Sequence, residues 1–201
     1  MENKSDLPIV LIAIDGRGGS GKSTLAKLLA KKFSAEIIHT DDFASWDNPT
    51  EWWPLVIEKV FLPIKNGAIA LNYPRTKWWE NRNPEPAINQ PVTRVMILEG
   101  VSALRKEFRP YISCGILVDA PIEVCRQRVV ERDKTTDESP EKIKELWAEW
   151  LKDENDYFER DRPERVADII IDGTMSLHEQ VKGISLGRFW LPARLALVRP
   201  R

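Results

Sequence analysis

The stretch Gly16-Arg17-Gly18-Gly19-Ser20-Gly21-Lys22-Ser23 fits the spacing G-x-x-x-x-G-K-[ST]. An apolar run over 9–14 precedes it and a helical pattern follows, which is the strand, loop and helix context that a phosphate-binding loop requires. The glycines matter because successive backbone N–H groups must turn inward around phosphate oxygens, through angles a side chain would obstruct. In such a loop Lys22 reaches the β- and γ-phosphates, and the Ser23 hydroxyl holds Mg²⁺. The helix opening near Gly21 points its positive end at the same anion. Gly16, Gly18, Gly19, Ser20, Gly21, Lys22, Ser23 and Thr24 are therefore the expected contacts of a nucleoside triphosphate.

Outward from the loop, Leu25, Leu28, Leu29 and Phe33 recur at helical spacing and mark one buried face. A second strand is expected at 36–40, ending at Asp41-Asp42-Phe43, and a helix at 53–65, with Pro63 weakening its last turn. Between 67 and 90 the pattern loosens into short alternation, an insertion beside the sheet. Apolar runs at 95–98, 115–118 and 168–171 read as further strands, and helices are expected after Pro121 and from Pro140 towards 159. Five strands alternating with helices or long connections predict a three-layer α/β domain around a mostly parallel sheet. One domain is expected over 1–201, with an insertion at about 44–92, a helical lid at about 126–160 and a basic C-terminal arm at about 181–201.

The composition is that of a globular protein, 42% hydrophobic and 30% charged, with a net charge of −1. That balance asks for neither nucleic acid nor membrane. Cys114 and Cys125 are too far apart for a C-x-x-C pair and read as reduced core residues, and the N-terminal residues fit neither a signal peptide nor a span, so a cytoplasmic protein is expected.

Open α/β sheets bind ligands beyond the carboxyl ends of their strands. Asp15, Asp41, Asp42, Glu99, Asp119 and Asp172 stand at those ends. A hydroxyl attacking a γ-phosphate needs a carboxylate to orient it and take its proton, and Mg²⁺ needs oxygen ligands. Asp41 and Glu99 are the natural candidates, against a bland alternative in which they cap turns. His39 reads either as a neighbour of the site or as a satisfied strand histidine.

In the order "GRGGSGKSTLAKLLA", "HTDDF", "ILEGV" and "RQRVVERD", with a weaker "ADIIIDGT" at the last strand, the chain resembles the uridine kinase and phosphoribulokinase group of P-loop kinases. The resemblance implies a P-loop NTPase fold with sheet order 2-3-1-4-5 and transfer of the ATP γ-phosphate to a hydroxyl of a small molecule. It implies Asp41 as catalytic base, since Phe43 completes D-x-[FY], and Glu99 as the acid near Mg²⁺. Lys22, Arg128 and Arg132 complete the implied catalytic set, the two arginines as lid residues over the phosphates. Their alternative is a solvated helix face paired with Glu123, Glu131 and Asp133.

The group's nucleoside-recognising segment, a Tyr-Asp-Phe followed by His and Arg, is incomplete here, where the sequence reads Tyr73-Pro74-Arg75-Thr76-Lys77-Trp78-Trp79. Asp42, Trp46, Tyr73, Arg75 and Trp78 are the expected acceptor contacts. The tryptophans serve equally well to stack on a base, to cover the sheet or to join subunits of a homo-oligomer. Two other readings stand beside a nucleoside kinase. One is a nucleoside monophosphate kinase, for which Arg75, Lys77 and Arg82 would hold the acceptor phosphate, and the other is a non-catalytic ATP-binding regulator.

Overall fold

The computed structural model describes residues 9–45, 48, 51–76, 87–133, 140–182 and 184. Its centre is a five-stranded parallel sheet formed by β1 (Val10–Asp15), β2 (Glu36–His39), β5 (Val95–Glu99), β6 (Cys114–Asp119) and β7 (Ile169–Asp172). Their lateral order is β2-β5-β1-β6-β7, so the sheet's own strands run 2-3-1-4-5 as expected. Every pairing is parallel, with Ile12 of β1 opposite both Ile97 and Cys114.

The unbroken apolar runs follow from burial on both faces. Along β1, Leu11 and Ala13 point into one core while Val10, Ile12 and Ile14 point into the other, and β5 divides Met96 and Leu98 from Val95 and Ile97 in the same way. The second core is closed by α1 (Lys22–Phe33), which contributes Leu25, Ala26 and Leu29. The first is closed by the segment from Trp53 to Lys65 together with Phe108 and Leu71.

That segment is not the regular helix expected. It divides into α2 (Trp53–Val56), a π-helical stretch Ile57–Phe61 and α3 (Leu62–Lys65). Pro63 has no N–H and its ring crowds the carbonyl four residues back, so the turn widens and the Leu62 N–H donates to Ile57 instead. The insertion forms an antiparallel hairpin, β3 (Ala70–Pro74) with β4 (Ala87–Pro91), as a separate two-stranded sheet.

After β6 come α4 (Ile122–Asp133), α5 (Pro140–Asp161) and α6 (Pro163–Val166), and after β7 comes α7 (Leu177–Lys182). The expected arm at 181–201 lies almost wholly outside the described residues. Both cysteines are buried free thiols. Among the described residues no helix is long and apolar enough to cross a membrane.

Candidate active site

Parallel strands place their carboxyl ends along one edge, and the chain uses that edge for its polar residues. The phosphate loop follows β1 there. Gly19 has φ +81°, and a Cβ on it would lie 2.3 Å from the Cys125 carbonyl oxygen, so only glycine lets the loop pass α4 so closely. Gly21 caps α1 without a side chain, and the helix has no acidic residue in its first turn. The first-turn amides and the positive helix end thus remain for an external anion. The Ser20 hydroxyl is fully buried without a hydrogen-bond partner. A phosphate oxygen would satisfy such a group, and the loop fits a triphosphate.

Lys22 donates to the Arg17 carbonyl at 3.3 Å. Its ammonium charge draws down the carboxyls of Asp15, Asp41, Glu99 and Glu154, which converge on it from four parts of the chain. The exposed Ser23 donates its hydroxyl to Glu99 Oε1 at 2.8 Å, so the two residues expected near Mg²⁺ meet. Thr24 is exposed in the first turn of α1.

Glu99 is held on its other oxygen by His39 Nδ1 at 2.7 Å. Burial would raise its carboxyl, but His39, Lys22 and Ser23 together hold it below the usual range. The same hydrogen bond is the main cause that raises the His39 imidazole. Gly100 explains how β5 comes close enough. At φ +147° its missing Cβ would sit 1.8 Å from Thr40 Oγ1, and this contact sets the turn carrying Asp41 against Glu99.

Thr40, Asp41 and Asp42 form one turn of 3₁₀-helix. The turn sends the two aspartates apart. Asp41 faces an open cleft between protein walls, where desolvation raises its carboxyl against the pull of Lys22, His39 and Arg132. Asp42 turns inward, accepts from Arg75 Nε at 3.0 Å and lies 3.5 Å from the Tyr73 hydroxyl. Tyr73 is only 2% exposed and stacks on Phe43 at 4.7 Å. Three of the five expected acceptor contacts therefore pair with one another, and the other two, Trp46 and Trp78, lie outside the described residues.

Arg128 lies against the phosphate loop. Its Nη1 lies within 3.3 Å of the Gly19 and Ser20 carbonyls and 3.1 Å of the Gly173 carbonyl, fastening the loop to the turn after β7. Arg132, one turn on, is exposed and near enough for its charge to act on Asp41.

Two residues of α5 complete the site without having been anticipated. Glu154 Oε1 accepts from the Gly18 amide at 2.8 Å, and its other oxygen lies 3.6 Å from Arg17 Nη1. Tyr157 donates to Asp15 Oδ2 at 2.5 Å. Asp15 also accepts from the amides of Gly16, Ser102 and Leu104, yet complete burial still raises its carboxyl to about 6. Both contacts join residues more than a hundred positions apart, and only the start signal and aromatic spacing of α5 were visible beforehand.

No family model matches the sequence. The chain is 30% identical over 161 residues to the nicotinamide riboside kinase of Saccharomyces cerevisiae, a match covering 62% of this chain and 65% of that one. It therefore spans just under two thirds of that relative's length. It is 26% identical over 148 residues to a gluconokinase of Arabidopsis thaliana, covering 66% of this chain and 71% of that one. Among solved structures, one described as a possible uridine kinase from Bacillus stearothermophilus superposes with a TM-score of 0.56 at 20% identity, over 82% of this chain and 89% of that one. With its phosphate loop, sheet order and these relatives, the chain has the P-loop kinase fold and resembles the uridine kinase group.

Proposed function

We propose that the chain is a phosphotransferase that moves the γ-phosphate of ATP to a hydroxyl of a small molecule, a nucleoside-like acceptor first among the candidates. The observation that carries this reading is the placing of Asp41 on an open cleft beside a phosphate loop whose Ser23 is hydrogen-bonded to Glu99 at 2.8 Å. A loop that only held a nucleotide would have no use for a second carboxylate facing a cleft. The names of the similar proteins, a nicotinamide riboside kinase and a gluconokinase, favour a hydroxyl acceptor in the same way.

In this reading the loop amides and Lys22 hold the triphosphate, and Asp41 accepts a hydrogen bond from the acceptor hydroxyl and takes its proton as attack begins. Ser23 and Glu99 would hold Mg²⁺, which when bound supplies charge neutralisation at the phosphates. His39 fixes the orientation of Glu99 and keeps it ionised. Arg132 brings positive charge to the Asp41 side, and Arg128 keeps the loop's shape. Arg75, offered for a monophosphate acceptor, is paired with Asp42, so the hydroxyl reading is preferred.

The test is ATP consumption measured across nucleosides, nucleoside monophosphates, sugars and sugar acids, with product mass locating the phosphate. Acceptor-dependent turnover of free hydroxyl compounds is expected. Turnover of monophosphates alone, or of nothing while ATP still binds, would overturn the reading.

A further inference from the structure

The group's resemblance directs acceptor recognition to the insertion, but the hairpin's Tyr73 and Arg75 Nε turn to Asp42. The cleft that reaches Asp41 has other walls. One is the N-terminal approach to α2, with Trp52, and the loop after β5, with Arg105. The other is α5, which contributes Trp150, Asp153 and Glu154 one helical turn apart. Among the described residues, this cleft is open to a molecule whose hydroxyl meets Asp41.

Among the described residues, the walls of the cleft carry a small excess of negative charge. Asp41, Asp153 and Glu154 line the cleft, and two guanidiniums do so as well. Both guanidiniums already face acids, and Glu154 in turn faces the Gly18 amide and Arg17, which leaves Asp153 as the acid of α5 turned to the cleft. Arg105, 2% exposed, donates from Nε to Glu107 at 3.0 Å and lies against the rings of Trp52, Trp53 and Phe108, while Arg160 donates to Asp161 at 2.7 Å. Lys22 stands on the side of the phosphate loop, where a triphosphate would use it, and Arg132 brings its charge to Asp41 from α4, so Asp153 is the acid that sets the charge at the acceptor's far end. A carboxylate accepts hydrogen bonds from hydroxyls and attracts cations, whereas an acceptor bearing negative charge would meet it in a partly desolvated space, where repulsion is weakly screened.

We infer that the acceptor is read by α5, with its ring against Trp150 and its hydroxyl or cationic groups on Asp153, and that the site selects uncharged or cationic hydroxyl compounds and rejects anionic ones. The inference rests on the phosphotransferase reading. It adds that α5 holds both a contact to the donor loop, Glu154, and the contacts that choose the acceptor, so the face of one helix spans donor and acceptor.

Acceptors matched except for charge away from the reacting hydroxyl test this directly: uridine with orotidine, nicotinamide riboside with nicotinic acid riboside, and glucose with gluconate. For the pairs that turn over, the member without the carboxylate is expected to have at least tenfold higher kcat/KM. Asp153→Asn narrows that gap severalfold, and Trp150→Ala raises KM with little change in kcat. Exposed Asn72 on the hairpin serves as control, and Asn72→Ala leaves the discrimination as it was. Equal or better use of the carboxylate-bearing members overturns the inference while leaving the kinase reading standing, as does discrimination unaltered in Asp153→Asn. Absence of turnover with every acceptor overturns the kinase reading and the inference together.

Discussion

Asp41 and Glu154 are both carboxylates raised by burial at the same end of the sheet, and their neighbours give them different work. Asp41 faces the cleft and is the base of the proposed reaction, so its loss would be a loss of chemistry. General-base assistance contributes roughly 10²–10⁴-fold. Asp41→Asn is expected to lower kcat by that range with ATP affinity nearly unchanged, measured by a coupled assay beside calorimetric titration. Because the group acts ionised, the acid limb of the wild-type rate profile should sit above the ordinary carboxylate value and vanish in the variant. Glu154, 6% exposed, instead puts a negative charge on an amide of the phosphate loop. Glu154→Gln keeps an oxygen for the Gly18 N–H and removes the charge. ATP should then bind more tightly, on the order of tenfold or ~1.4 kcal/mol. Weaker binding would mean that the carboxylate supports the loop in its loaded form.

At the scale of elements, Asp15 and Tyr157 tie the end of β1 to the middle of α5, and Ser102 and Leu104 bring the loop after β5 to the same carboxylate. Hydrogen bonds to charged groups contribute about 1.5–3 kcal/mol. Tyr157→Phe should lower the unfolding free energy by an amount in that range, read as a lower urea midpoint with an unchanged slope, since the surface exposed on unfolding is the same. The five strands were legible because burial on both faces writes each one as a continuous apolar run, and the loop was legible because phosphate geometry admits few sequences. Asp41 and Glu99 could be read from their places at strand ends. Glu154 and Tyr157 could not, because helical spacing marks the face of α5 but not what it will meet 136 and 142 residues earlier. Nor does a sequence show that Arg75 will spend its charge on Asp42. Pro63 signals a weak last turn in the sequence, and its effect appears one turn earlier, in the π-helical register that its missing donor allows.

Over the whole molecule, the carboxyl edge of the sheet is held together against its own electrostatics. Asp15, Asp41, Asp42 and Glu154 are all raised, with desolvation the largest cause in each. An acid raised on folding binds its proton more tightly in the native state, so stability falls as pH climbs from its unfolded to its folded value. For Asp15 that interval runs from 3.8 to about 6. His39 acts in the same direction at higher pH. Its folded value lies above 6.5, so the stabilisation from Glu99 is complete below 6.5 and is lost as pH rises through the folded value. Glu99 sets the lower bound, because its folded value lies below 4.5 and its contribution is lost as pH falls through it. The nucleotide-free protein should therefore melt highest between pH 3.8 and 4.5 and at progressively lower temperature towards pH 8. Thermal melts across that range test this, and His39→Gln should flatten the decline above pH 6.5 while leaving the part below pH 6. A melting temperature that rises from pH 5 to pH 8 would contradict the picture of an edge whose buried acids cost stability in order to face a phosphate loop.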